Sequence, residues 1–396
     1  MLLRLIGCTL MVAGTSIGAG LLALPTATAA SGFLTTTLTL LVCWVFMTAG
    51  AFYILEVSLK LKQNTNLISM AKASLGLPGQ IITLCVYLLL LYALLSAYIA
   101  GGSDVVHMLL AKVHLAKYKV LDTLIFTLIF AAIVIRGVRT VDWTNRLLMT
   151  VKLGTFFALL VIISPHITTH QLETGSPHAI WPAVMVVITS FGFAVIIPSL
   201  RSYLNDNVKH LRIAITAGSF IALACYWLWC LVVQGNLPLH GSNGLIQIAQ
   251  SGSAVSGLTN ALSQMLNRPS VTFAVHLFAS ISVLTSFLAV ALSLSDFLAD
   301  GLKLKKQGND RVKVYAATFL PPLVIVLVYP GAFIQALAFA GILCVILLIL
   351  LPALMAYRMR EKHEGDVRFE TPGGKTLLAT TGLAAIVLLV IGFWTF

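Results

Sequence analysis

Charge is what this sequence has least of. Only 10% of its 396 residues are Asp, Glu, Lys or Arg, and the acids number just 13. A soluble domain of this size carries roughly 25% charged residues, so most of this surface does not face water. The chain also lacks a CxxC pair and any Cys/His zinc spacing. Its six cysteines (Cys8, Cys43, Cys85, Cys225, Cys230 and Cys344) all fall inside apolar segments, where free thiols act as small core residues. No nucleophile sits beside a base, and no paired intramembrane aspartates or metal-ligand pattern is present. That argues against a membrane-embedded enzyme, and no cofactor is called for.

Long apolar runs are what the sequence has instead. Hydrophobic residues make up 59% of it, and the mean hydropathy is +0.98. A bilayer-spanning helix needs about 20 predominantly apolar residues, and such runs recur from end to end. We read one all-α polytopic membrane domain over 1–396, with eleven spans near 4–30, 33–59, 78–103, 120–136, 146–164, 180–203, 210–234, 270–302, 312–329, 331–357 and 375–395. Gly76, Pro78 and Gly79 precede the third span, and Pro330-Gly331 marks a tight turn before the tenth. The first span carries small residues at Thr26-Ala27-Thr28-Ala29-Ala30 that suit a cleavage site. Gly14 to Gly20 interrupts its apolar stretch, however, and many spans follow, so an uncleaved first helix is expected.

The net charge of +12 does not point to nucleic acid, because the basic residues lie in short loops rather than on one face. With the N-terminus in the cytoplasm, all but four of the 25 Lys and Arg residues fall on the inner side; the exceptions are Lys112, Lys117, Lys119 and Arg268. That asymmetry sets the orientation, and an odd span count puts Phe396 outside. The longest outer loop, 235–269, holds two short amphipathic stretches, Ile246 to Gln250 and Leu258 to Leu266. They read either as a lid over an outer vestibule or as a long connector.

Two spans contain sequence unsuited to regular helix in lipid. The first has Gly14, Gly18 and Gly20 with Thr15 and Ser16 between them; the sixth has Thr189-Ser190-Phe191-Gly192-Phe193 followed by Pro198. In hydrocarbon each unpaired backbone group costs several kcal/mol, so non-helical backbone persists only where it lines a cavity or is buried in protein. A GxxxG pattern alone means close helix packing. A second interruption five spans later points instead to an inverted repeat with a midplane site. The half-helix from Gly18 and Gly20 offers N–H groups to a carboxylate, and carbonyls near Ala13, Gly14 and Ser190 could receive an ammonium group.

The stretch Val12-Ala13-Gly14-Thr15-Ser16-Ile17-Gly18-Ala19-Gly20-Leu21-Leu22-Ala23-Leu24-Pro25 resembles the first-helix signature of the bacterial hydroxy/aromatic amino acid permeases, within the amino acid–polyamine–organocation superfamily. Ile54-Leu55-Glu56-Val57, Thr189 to Phe193, Ala274-Val275-His276-Leu277-Phe278 and Phe319-Leu320-Pro321-Pro322 extend the likeness over the whole chain. It is closest to tyrosine-specific members. The resemblance implies a LeuT-type fold: 1–164 and 165–357 as five-helix inverted repeats, 358–396 as an extra helix, and breaks in helices one and six. It also implies proton-driven uptake of an aromatic amino acid across the bacterial inner membrane. Protons, the amino acid and the bilayer are then the partners, and a monomer is expected.

Candidate side chains follow. Lys152 lies six residues inside the expected fifth span, about 9 Å along its axis. It either snorkels to the interface or, as the resemblance implies, sits near the first break with Thr285 and Ser286 and exchanges a proton. Glu56 can pair with Lys60 four residues on or serve as a proton relay. Asp296 and Asp300 repel at i,i+4 and could form an inner gate with Arg4 or a solvated cluster. His276 is either a hydrogen-bonded core histidine or a contact to substrate or proton; His166, His170 and His178 read as a solvated loop. An aromatic ring needs apolar and π surfaces: Phe191, Gly192 and Phe193 at the sixth-span break, and Tyr92 and Tyr98 in the third. Together with Ala13 to Gly20 and Ser190, these form the expected substrate site. Tryptophan, phenylalanine or serine as cargo, or sodium coupling, stay open as alternatives.

Overall fold

The computed structural model describes residues 2–63, 65–111, 119–241, 243–304, 306, 308–361 and 369–396. Lys112, Lys117, Lys305, Lys362 and Arg368, which enter the charge asymmetry, lie outside the described residues. Among the described residues every regular element is helical. In chain order these are α1 (Leu2–Ser16), α2 (Gly20–Thr28), α3 (Phe33–Lys60), α4 (Leu67–Ala111), α5 (Lys119–Ile135), α6 (Val138–Ile163), α7 (Thr169–Leu172), α8 (Trp181–Ser190) and α9 (Ile197–Tyr203). They continue with α10 (Val208–Gln234), α11 (Leu245–Gln250), α12 (Ala254–Leu266), α13 (Pro269–Gly301), α14 (Gly308–Val328), α15 (Phe333–Cys344), α16 (Leu351–Glu361) and α17 (Gly374–Thr395).

Nine of these helical stretches are long and apolar enough to cross a bilayer, and the α1–α2 pair, bent by 51°, makes a tenth. The stretches Pro177–Tyr203 and Phe333–Glu361 each count as one span; Val345–Leu350 joins α15 to α16 as a π-helical segment. The chain is therefore a multi-pass membrane protein. The remaining expected span falls on α5, whose 17 residues reach about 26 Å at 1.5 Å each. That is just short of a hydrocarbon core of about 30 Å.

Several boundaries differ from expectation for identifiable reasons. α6 begins at Val138, not near 146. Its first turns, Val-Arg-Thr-Val-Asp-Trp-Thr-Asn-Arg, are too polar to read as a span, yet the Asp142–Arg146 pair (2.9 Å) supports helix there. Lys152 is therefore four turns into its helix. α4 starts at Leu67 because a short helix abuts the third span at Gly76, whose φ of 76° and ψ of −163° break the ladder. The long loop does hold two helices, α11 and α12, packed against α2.

Helix packing brings the breaks together at the centre. α1 lies on α10, α2 on α8, α8 and α9 on α3, α13 on both α6 and α4, and α15 on α4 and α8. Arg201 on α9 is 4% exposed; it pairs with Asp206 at 2.8 Å and donates to the Ser58 and Lys62 carbonyls, fastening the far half of the second break to α3.

Candidate functional site

The first break spans Ile17, Gly18 and Ala19. Ile17 still donates to the Ala13 carbonyl at 2.8 Å, but Gly18 turns to Ser16 O (2.7 Å) and Ala19 to Ser286 Oγ (2.9 Å). The carbonyls of Gly14 and Thr15 thereby lose their helical donors. Glycine is required here by close approach: a Cβ on Gly18 would lie 2.7 Å from Ser286 Oγ, and one on Gly20 would lie 2.6 Å from Ser190 Oγ. The two breaks thus touch at Gly20 and Ser190.

The second break begins where α8 ends at Ser190 and Gly192–Ile196 tightens to a 3-10 turn. Thr189 Oγ1 reaches the Leu337 carbonyl at 2.7 Å, tying this break to α15. Ser190 Oγ donates back to Val186 O.

Two side chains brace the junction. Lys152, 2% exposed, donates from Nζ to the Ile17 carbonyl at 2.7 Å and to Thr285 Oγ1 at 3.3 Å. Thr285 and Ser286 each pass their own hydroxyl proton to Ser282 O. Among the described residues no carboxylate pairs with Lys152, so neutral oxygens alone hold this amine. From the other side, Tyr226 of α10 puts its hydroxyl 2.5 Å from Ser16 O and 2.6 Å from Ser190 O. Its single proton can serve only one carbonyl at a time.

Beside the junction lies a cavity of about 680 Å³, within the range of small-molecule sites. Gly14, Thr15, Ser16, Ile17, Gly18, Gly20, Ser190 and Gly192 form its deep end, with Tyr98, Lys152, Thr285 and Ser286. It extends past Tyr87, Leu91 and Leu94 of α4 and Asn145 and Met149 of α6 to the Asp142–Arg146 pair. That is the end of the bundle where α1 and α6 begin and α13 finishes. At the opposite end α11 and α12 cover α2, and Gln234 donates to Pro25 O (3.2 Å) and Thr28 Oγ1 (2.9 Å).

The expected residues therefore divide. Ala13 is buried beside the break with its carbonyl occupied, and Ala19 is buried with its N–H on Ser286. The Ser190 carbonyl is taken by Tyr226, which leaves Gly14 and Thr15 as the break carbonyls released toward the cavity. Phe191 is fully buried, edge-on to Tyr226 at 5.2 Å, and neither it nor Phe193 lines the cavity in this conformation. Tyr92 turns away, donating to Ala317 O at 2.8 Å. His276 is buried in α13 about 14 Å along the axis from Thr285, outside the cavity wall.

Glu56 is far from the junction. It is fully buried, bound by both arms of Arg360 (2.7 and 2.6 Å) and by the Thr371 N–H and hydroxyl (both 2.9 Å). Its partner is Arg360, not Lys60. Asp296 pairs with Lys306, and Arg4 lies over the Tyr203 ring at 6.0 Å. Among the described residues, neither Asp296 nor Asp300 pairs with Arg4. Tyr226, Tyr87 and Asn145 escaped sequence reasoning. For Asn145, an amide within the charged run Asp142 to Arg146 was an available signal; a lone tyrosine in an apolar span gave none.

Comparison with known proteins fits this geometry. Residues 2–392 match the tryptophan/tyrosine permease family. Tyrosine-specific transport systems 1 and 2 of Haemophilus influenzae are 35% and 34% identical, over 98% of this chain and 94% and 95% of their own lengths. The tryptophan-specific transport protein of the same organism is 32% identical over 98% of this chain and 94% of its own. The chain belongs to the tryptophan/tyrosine permease family, whose members are amino acid transporters and not enzymes.

Proposed function

We propose that this chain is a proton-coupled importer of an aromatic amino acid, tyrosine first, working by alternating access in the bacterial inner membrane. The observation that carries the coupling is Lys152. A buried amine held at the first break by one carbonyl and one hydroxyl can lose a proton and keep both contacts, because a neutral amine still has two N–H groups. A lysine deep in a span without a counter-charge marks a proton or substrate path. By the family likeness, it would take the place of the sodium ion bound in sodium-coupled proteins of the proposed fold.

The fold reading is a LeuT-type arrangement of eleven spans, with α5 as the fourth, repeats over 1–164 and 165–357, and an extra helix over 358–396. Helix packing supports it. Exchanging each span with the one five later turns the contact of α1 with α10 into that of α8 and α9 with α3. The same exchange turns α13 on α6 into α4 on α15. With the N-terminus and the basic loops cytoplasmic, the cavity opens inward, α11 and α12 form the closed outer lid, and the C-terminus lies outside. Arg4 with Asp296 or Asp300 would then be an inner gate standing open.

An amino acid carboxylate fits the first turn of α2, its ammonium the Gly14 and Thr15 carbonyls, and its ring the Tyr87–Leu91–Leu94–Tyr98 face. Phe191 could reach the ring only after the second break moves, and Glu56 serves to hold α16 rather than to relay protons. Radiolabelled tyrosine uptake into proteoliposomes under an imposed inward proton gradient tests the reading, with phenylalanine, tryptophan and serine as competitors. Uptake that collapses with a protonophore and yields best to unlabelled tyrosine is expected. Uptake that needs sodium alone, or none, would overturn it.

A further inference from the structure

A second cavity, of about 630 Å³, lies on the outer surface of the bundle between α3, α10 and the segment before α17. Its walls carry a gradient of chemistry. Lys209 and Arg212 stand at one end, in the first two turns of α10. Ile213, Thr216 and Phe220 continue along the same helix face, with Phe52 of α3 opposite. From Arg212 to Phe220 the groove runs about 12 Å along the helix.

Among the described residues no acidic side chain lines the groove, and neither Lys209 nor Arg212 makes an ion pair. Arg212 instead stacks over the Phe369 ring at 5.4 Å, which fixes the guanidinium at the groove mouth. The N-terminal end of α10 adds its own partial positive charge there. The shaft below stays open, with Ile213 and Phe220 41% and 57% exposed.

We propose that this groove binds one anionic phospholipid, with its phosphate between Lys209 and Arg212 and an acyl chain along Ile213, Thr216 and Phe220. A free phosphate would account for the cations but leave the apolar shaft empty. A neutral lipid would fill the shaft but leave two cations that no acid among the described residues pairs with. Only a ligand with both ends satisfies both, and basic pockets between membrane helices recognise such headgroups. The site adjoins the transport machinery: α10 carries Tyr226, and its Gly218 lies against Val12 of α1 so closely that a Cβ would come within 2.5 Å of the valine Cβ.

Native mass spectrometry of the detergent-purified chain tests this, titrated with phosphatidylglycerol and phosphatidylethanolamine of identical acyl chains. The unaltered chain should retain one phosphatidylglycerol in preference to phosphatidylethanolamine. Lys209→Gln with Arg212→Gln should weaken that retention by about tenfold or more, given the attraction of each basic group near a headgroup. Thr216→Trp, which fills the shaft and keeps both cations, should weaken it too, whereas Arg136→Gln with Arg139→Gln should not. Equal retention of the two lipids would overturn the proposal, as would a double variant at 209 and 212 that binds like the unaltered chain. Displacement of the lipid by millimolar inorganic phosphate would reduce the site to an anion site and overturn it as well.

Discussion

Two of the buried charged residues in this bundle, Glu56 and Lys152, sit in opposite circumstances. Glu56 meets a bidentate arginine and two Thr371 donors, one hydrogen bond on Oε1 and three on Oε2. Lys152 meets a carbonyl and a hydroxyl and, among the described residues, no opposite charge. The first arrangement meets its charge with an opposite charge. The second offers only neutral oxygens, and it stands where the two broken helices touch. On the proposed function, burial alone does not separate a structural charge from a working one; the partners do.

Removing half of the Glu56 cluster should do the most damage. Glu56→Ala strips the part-buried Arg360 and the Thr371 donors of the carboxylate that holds them, which costs about 3–5 kcal/mol; thermal unfolding should show a large loss of stability and poor recovery from the membrane. Replacing both, as Glu56→Met with Arg360→Met, should recover most of that stability and keep proton-driven uptake. If the double variant is stable but uncoupled, the division between the two regions is wrong.

Next in size are the glycines at the junction. Gly18→Ala and Gly20→Ala drive a methyl to 2.7 and 2.6 Å from Ser286 and Ser190 Oγ, so substrate binding measured by scintillation proximity should fall sharply while the fold stands. Pairing Gly18→Ala with Ser286→Ala removes the clashing oxygen and should restore part of it. Tyr226→Phe comes third: it strips one hydrogen bond shared by two buried carbonyls, worth about 1–3 kcal/mol when a partner is left unsatisfied. Its effect should appear in transport rate more than in stability. Smallest is Asp296→Asn. Its pair with Lys306 is part-exposed, worth under about 1 kcal/mol, and uptake should change little.

What could be read from the sequence follows this same division. The breaks were legible because Gly, Ser and Thr clustered in an apolar run cannot be explained by helix in lipid. Lys152 and its neighbours Thr285 and Ser286 followed from the family likeness, although their contact crosses 133 residues. Arg360 as the partner of Glu56 was not legible: it lies 304 residues away, while Lys60 offered a local alternative. Tyr226 was hidden for a related reason. Its value lies in reaching two carbonyls at once, and nothing in an apolar helix announces which backbone oxygens a tyrosine will face. The early start of α6 was missed because hydropathy marks lipid contact, and helices extend beyond it.

The most direct test separates substrate exchange from proton-driven accumulation in Lys152→Met. Counterflow of labelled tyrosine, which needs binding and alternation but no gradient, should persist in proteoliposomes holding this variant. Accumulation under an inward proton gradient should be lost. Normal accumulation by Lys152→Met would contradict the account, because the buried amine at the break would then carry no part of the coupling.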